Sequence, residues 1–309
     1  MFKLHKNTRT AWMLVTLTLL MSAGVVAFMH LTSADDGRIL FSQFDGVDYE
    51  IFVIDQDGNL EQLTNNDFND WGAAWSPDRS EIAFRSDRDG LTRIYVMDMN
   101  GNTRAVTPQN LWAGDLGRTG TPAWAPDGNS IAFEGYDAYA QDANFNIYVT
   151  NLNTGETEAV TNHPNDEWHP QFSPDGTEIA YARADHNQDC YNGCDIFVMD
   201  ADGTNVRQYT FTKGMDVFPQ WSPDGSQILF HSERTGNSDI FVMDANGYNQ
   251  INLTNTSSLE RVPQWSPDGN SIVFRSERDG DSDIYTMNLR TGETQAVTEG
   301  EADERFPDW

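Results

Sequence analysis

The sequence predicts an all-β protein: a six-bladed β-propeller whose first blade is completed by the C-terminal strand, preceded by an N-terminal hydrophobic export or anchor helix. Three observations predict it. An anchor aromatic recurs at Trp75, Trp124, Phe172, Trp221, Trp265 and Trp309, 44 to 49 residues apart, and a Pro-Asp turn follows each except the last. Between the anchors a second phrase recurs six times, from "IFVIDQDG" (51–58) to "IYTMNLRTG" (284–292). The first repeat, "ADDGRILF" (34–41), lacks the anchor strand that the terminal "RFPDW" (305–309) resembles.

Each repeat reads as four short strands. The anchor strand is closed by "SPDG", in which proline presets φ and glycine supplies a positive φ. An apolar strand such as "SIVF" (271–274) follows. After a loop comes the Ile-aromatic-Val strand, whose alternation serves both faces of a sheet. Its "DG" or "NG" is a hairpin signal, leading to a last strand ending in "LT" or "VT". Four antiparallel strands at this period describe a propeller blade. Arg305–Trp309 is therefore expected to pair with Gly37–Ser42, building blade 1 from both termini and leaving no free edge.

Residues 1–34 stand apart from the propeller expected over 35–309. Lys3, Lys6 and Arg9 precede an uncharged run from Ala11 to Met29, which reads as a signal peptide or a single transmembrane signal anchor. The small-residue site "TSA" (32–34) leaves cleavage open. Either way the rest is expected outside the cytoplasm, in the periplasm, on the cell surface or secreted. Of the remainder only Lys213 is a lysine, and the net charge of the chain is −29. That field repels nucleic acid and anionic lipid, so a membrane partner is expected only through the N-terminal segment. With 38% hydrophobic residues the chain can build a core, which excludes disorder as its main state. Cys190 and Cys194 are the only cysteines and outside the cytoplasm read first as a disulfide. A metal site with His186 and Asp189 is the other reading.

The blade phrase "WSPDGNSIVFRSERDGDSDIYTMN" (265–288) resembles that of the TolB-type, WD40-like Asp/Pro-repeat propellers. The resemblance covers about nine-tenths of the chain and implies the fold; it does not imply one activity. Related blades form the gating domain of prolyl-oligopeptidase-like enzymes and the body of oligogalacturonate lyases.

A residue present in every blade answers a need that every blade shares. Five positions before each anchor stand Asp70, Thr119, Glu167, Asp216, Glu260 and Glu304. They read either as a cation-binding funnel or as partners for Arg88, Arg234 and Arg278 of neighbouring blades. Features confined to one blade are better functional candidates. The turns after the second and fourth strands form one face and carry the irregular insertions, which cluster in blades 2–4. On that face fall Trp71, Trp112, Tyr136, Tyr139, Trp168 and Tyr191, candidate ligand-stacking or partner-anchoring aromatics; covering the blade ends is their alternative role. His163, His169, His186 and His231 fall there too, and are candidate divalent-metal ligands. No nucleophile elbow or phosphate loop is present. The leading expectation is an exported, monomeric, non-catalytic binding or scaffolding propeller, without a cofactor, engaging a protein or carbohydrate through blades 2–4. The alternative is an extracellular metal-dependent polysaccharide-acting enzyme using the loop histidines.

Overall fold

A computed structural model of the chain describes residues 37–114, 120–137, 139, 144–184 and 193–309. Residues 1–36, with the expected export segment, lie outside this set, as do Cys190, Tyr191 and His186. Among the described residues there are strands and no helices, and no helix long and apolar enough to cross a membrane.

The strands form six sheets. Blade 1 contains β1 (Ile39–Phe44), β2 (Tyr49–Ile54) and β3 (Leu60–Gln62). Blade 2 contains β4 (Asp70–Trp75), β5 (Glu81–Ser86), β6 (Arg93–Asp98) and β7 (Thr103–Ala105). Blade 3 has β8 (Leu111–Trp112), β9 (Ala123–Trp124), β10 (Ser130–Asp137), β11 (Asn146–Asn151) and β12 (Thr157–Ala159). Blade 4 has β13 (Glu167–Phe172), β14 (Glu178–Ala184), β15 (Cys194–Asp200) and β16 (Arg207–Gln208). Blade 5 has β17 (Asp216–Trp221), β18 (Gln227–Ser232), β19 (Asp239–Asp244) and β20 (Ile251–Asn252). Blade 6 has β21 (Glu260–Trp265), β22 (Ser271–Ser276), β23 (Asp283–Asn288) and β24 (Thr294–Ala296). The last strand, β25 (Glu304–Asp308), joins blade 1 in the order β25-β1-β2-β3. Its antiparallel register pairs Leu40 with Asp308, Ser42 with Arg305 and Gln43 with Glu304, so the expected closure by the two termini is present.

Six apolar clusters lie between successive blades and close the ring. Leu40 and Ile51 of blade 1 meet Trp75 and Phe84 of blade 2, and the pattern repeats until Val273 and Ile284 of blade 6 meet Ile39 and Phe41 of blade 1. The anchors are the knobs of these interfaces. The Trp124 indole donates to the Ala74 carbonyl at 3.1 Å and the Trp265 indole to the Gln220 carbonyl at 3.1 Å, each across a blade boundary. At the closure the Trp75 amide donates to the Asp308 carboxylate at 2.8 Å.

The inner strands touch in turn around the axis: β4, β9, β13, β17, β21, β25 and back to β4. In five of them the residue three before the anchor has a positive φ: Gly72, His169, Phe218, Val262 and Phe306. Each sits at a break in register with the next strand. These are β-bulges, and all but that at Gly72 are followed by proline, which an inner edge strand tolerates at a bulge because no ladder amide is needed there.

Candidate functional site

The bulges lie near the start of the inner strands, toward the face that carries the irregular loops. There Trp71 of blade 2, Phe218 of blade 5, Val262 of blade 6 and Tyr49 and Phe306 of blade 1 share one cluster. Residues of blades 5, 6, 1 and 2 thus meet at this end of the inner strands and, with the parts of blades 3 and 4 described next, form a stopper there. His169 stacks on Phe218 with ring centroids 3.6 Å apart. Blade 3 contributes glycine at the crowded point: a Cβ on Gly120 would stand 2.9 Å from the rings of both His169 and Phe218.

Beneath this stopper Arg85 and Glu134 form an ion pair of 2.8 Å with both side chains fully buried. Arg85 Nε donates to the Gly120 carbonyl at 2.8 Å, and its Nη1 donates to the Ala113 carbonyl. Glu134 accepts from the amides of Gly120 at 3.1 Å and His169 at 3.3 Å. One charge pair thus ties together blades 2, 3 and 4.

The expected aromatic site separates into two populations. Trp71 and Trp168 are buried, at 1% and 5% exposure, and their place is in the packing, where no ligand could stack on them without prising the blades apart. Trp112 and Tyr136 are half-buried and Tyr139 is exposed at 79%. The irregular loop before blade 3 places Trp112 in β8, an extra strand that pairs with the overlong end of β10 through Tyr136↔Trp112 and Asp137↔Leu111. The result is an aromatic ledge at the loop-rich face. Trp112 and Tyr136 meet edge-to-face at 4.8 Å, Tyr136 meets Phe145 at 5.0 Å, and Phe145 lies 4.1 Å from Trp168. Trp168 neighbours His169, at 6.4 Å, so ring contacts run unbroken from the ledge to the stopper. Tyr191 falls outside the described residues.

The described histidines do not assemble into a ligand set. His163 is half-buried, and its Nδ1 accepts the Asn165 amide at 3.1 Å; burial, then Arg183, holds it below the usual histidine range. His231 is 3% exposed, and burial, followed by Arg261, keeps it neutral. His169 and His231 both lie against the Phe218 ring. Among the described residues, neither they nor His163 belong to a group of three His, Cys, Asp or Glu with ligand atoms within 4.8 Å; Asp279, Asp281 and Asp283 alone form one. His186 lies outside the described residues. So does Cys190, and with it the expected pairing to Cys194, a buried residue opening β15.

The described members of the acid ring are all buried. Asp70 binds Arg88 at 2.9 Å, Asp216 binds Arg234 at 2.8 Å and Glu260 binds Arg278 at 3.2 Å. Each pair lies within one blade, a correction to the inter-blade pairing expected from sequence. The physical reason is register: Asp70 is opposite Ser86, so Arg88, two residues on, curls back over the same sheet onto Phe84 and Tyr95. Glu167 faces Arg183 across the ladder, yet burial pushes it up to about 7 despite a bond from Thr161 and the charge of Arg183.

Sequence reasoning missed the stopper, the Arg85–Glu134 pair and the aspartate triad. The stopper had a signal, the proline two before five of the six anchors, which in four of the five follows a bulge on the inner strand.

Comparison with known proteins agrees with this architecture. The family model described as the TolB beta propeller domain matches residues 118–250 and 214–309. A protein TolB homolog of Chlorobium luteolum is 27% identical over 158 residues, which is 51% of this chain and 33% of that protein. An uncharacterised protein of Agrobacterium fabrum is 26% identical over 186 residues, 58% of this chain and 60% of that one. The chain thus spans less than two-thirds of the length of each relative. Among solved structures, TolB from Acinetobacter baumannii superposes with a TM-score of 0.74 at 23% identity, over 88% of this chain and 66% of that one. An oligogalacturonate lyase in complex with manganese superposes at 0.60 with 19% identity, over 85% and 74%. At these identities the structural likeness concerns the fold.

Proposed function

The chain belongs to the TolB β-propeller family, and from that premise we propose that it is an exported, non-catalytic binding module that engages a protein partner through the aromatic ledge of blade 3 and the loops beside it. The observation that carries this reading is β8. Blade 3 spends an extra strand and a lengthened β10 on raising Trp112, Tyr136 and Tyr139 at the loop-rich face, whereas the shared needs of the fold are met without them in the other five blades. Half-buried aromatics braced from below present large, rigid contact area at low entropic cost, the character of interface anchors. The closed ring and the stoppered axis hold that surface still, as preorganised recognition requires.

A chain of residues 35–309 delivered by residues 1–34, whether cleaved or retained as an anchor, places this face outside the cytoplasm, where a Cys190–Cys194 disulfide would be stable. A polysaccharide-acting enzyme would need metal ligands that the described histidines do not supply together. The test compares captures from a native envelope extract by the full chain, by Trp112→Ala/Tyr139→Ala, and by Tyr248→Ala, which alters an exposed ring in a hairpin on the opposite face. A partner retained by wild type and Tyr248→Ala but lost by the double variant supports the ledge. Equal capture by all three would refute it.

A further inference from the structure

The loop between β22 and β23 departs from its counterparts, and the other blades show what it lacks. In blade 5 the buried Asp239 at the head of β19 is surrounded by donors: Thr235 Oγ1 at 2.7 Å, Asn252 Nδ2 at 2.9 Å and the Thr256 amide at 3.3 Å. In blade 4 Asp195 is served in the same way by Gln208 at 2.8 Å and Thr210 at 2.9 Å. In blade 2 the position is Arg93, whose Nη1 binds Asp89 at 2.6 Å and whose Nε donates to the Thr107 carbonyl at 3.0 Å.

Blade 6 has the aspartate, Asp283, without the donors. Thr235 is replaced by Asp279 and Asn237 by Asp281, and Ala296 stands opposite Tyr285 where Asn252 stands opposite Phe241. The hydroxyl of Thr298 turns to Glu304 at 3.2 Å. Asp283 is 1% exposed, no hydroxyl, amide or guanidinium among the described residues donates to its Oδ1, and its side chain meets only the carboxyl groups of Glu304 and Asp279. Among the described residues no arginine fills the gap: Arg278 is held by Glu260 and Arg305 by Asp303. Buried carboxyl groups that face one another are stable only when a proton or a cation lies between them.

We propose that Asp279, Asp281 and Asp283, backed by Glu304, bind one hard divalent cation of the calcium class, which takes the place that the Arg93 guanidinium holds in blade 2. The three ligand oxygens lie within 4.8 Å of one another, as oxygens bound to one calcium ion at roughly 2.3–2.6 Å must. The ligands are all carboxylate, which suits a hard ion and not a thiolate- or imidazole-seeking metal. Asp281 is half-buried and Asp279 exposed, leaving the outer side open to the waters that complete such a shell. The ion would also strengthen the closure of the ring, because Glu304 opens β25 and its amide already donates to the Ser282 carbonyl at 2.9 Å. This site is independent of the ledge on blade 3, so either can fail without the other.

The test titrates CaCl2 into the chelator-treated full chain by calorimetry and follows thermal unfolding with and without the ion. One equivalent is expected to bind, with a rise in Tm. Asp281→Asn, at a half-buried position, should weaken binding at least tenfold. Asp283→Arg, which installs the residue of blade 2, should abolish the calcium response while keeping a cooperative unfolding transition in chelator. Absence of saturable calcium binding by wild type, equal binding by wild type and Asp281→Asn, or tighter binding of MgCl2 than of CaCl2 would overturn the assignment.

Discussion

Glu134→Ala should be among the most damaging single substitutions in the propeller. Arg85 is fully buried and Glu134 is its ion-pair partner, so the substitution leaves a guanidinium in the interior with carbonyls alone for company. Breaking a buried pair from one side costs about 3–5 kcal/mol. The amides of Gly120 and His169 also lose their acceptor, at about 1 kcal/mol each where no water replaces it. A loss of about 5–7 kcal/mol is therefore expected in urea unfolding followed by tryptophan fluorescence at neutral pH. Glu134→Gln, which keeps an acceptor oxygen and removes the charge, should lose about 3 kcal/mol, the part due to Arg85 alone. Arg85→Met combined with Glu134→Leu should recover at least half of the alanine loss, since apolar replacement of both partners removes the stranded charge. A cost below about 1 kcal/mol for Glu134→Ala, or additive effects in the double variant, would refute the view that this pair ties three blades together.

Three further outcomes follow from the packing. Ending the chain at Asp303 removes β25, including the buried Phe306 and the Asp308 bond to Trp75; loss of cooperative unfolding and increased binding of a hydrophobic dye are expected, and an unchanged transition would contradict closure by the termini. Trp168→Ala should cost about 3–5 kcal/mol as a core truncation, while Trp112→Ala at its half-buried site should cost clearly less in the same unfolding assay. Stability should fall as pH rises from about 5 to 8, because Glu50 and Glu167 are raised by burial to about 7 and Asp308 to about 6. A raised carboxyl binds its proton more tightly folded than unfolded, so its contribution is present below the unfolded range near 4.3 and is lost through the folded value. Glu167→Gln should flatten that profile in denaturation curves taken across this range. Acidification below about pH 4 acts the other way, because hydrogen bonds from Ser222 and Ser226 hold the turn residue Asp224 down at about 2, as similar bonds lower Asp78, Asp175 and Asp268.

The architecture was legible in the chain because it is periodic. Turn chemistry at Pro-Asp-Gly and Asn/Asp-Gly and two-residue alternation are local, and six copies multiply a weak signal into a firm one. The pairing of "RFPDW" with the first repeat followed by subtraction: five full repeats and two fragments make six blades. The site was far less legible. Trp112 and Trp168 are both tryptophans in polar surroundings on one face, yet one edges a ledge and the other is core, since exposure depends on which neighbouring loop covers the ring.

By itself, then, the sequence determined the number of blades, the four-strand pattern they share and the closure, all consequences of short-range rules repeated along the chain, but not the extra strand β8 of blade 3. Only the tertiary structure decided what meets at the axis and between blades: His169 against Phe218, Arg85 against Glu134, Asp283 among Asp279, Asp281 and Glu304. Those contacts join residues from different repeats, or from loops whose paths no local pattern specifies. Burial there changes the meaning of a side chain, turning an aromatic into packing and an aspartate into one member of a buried acid cluster.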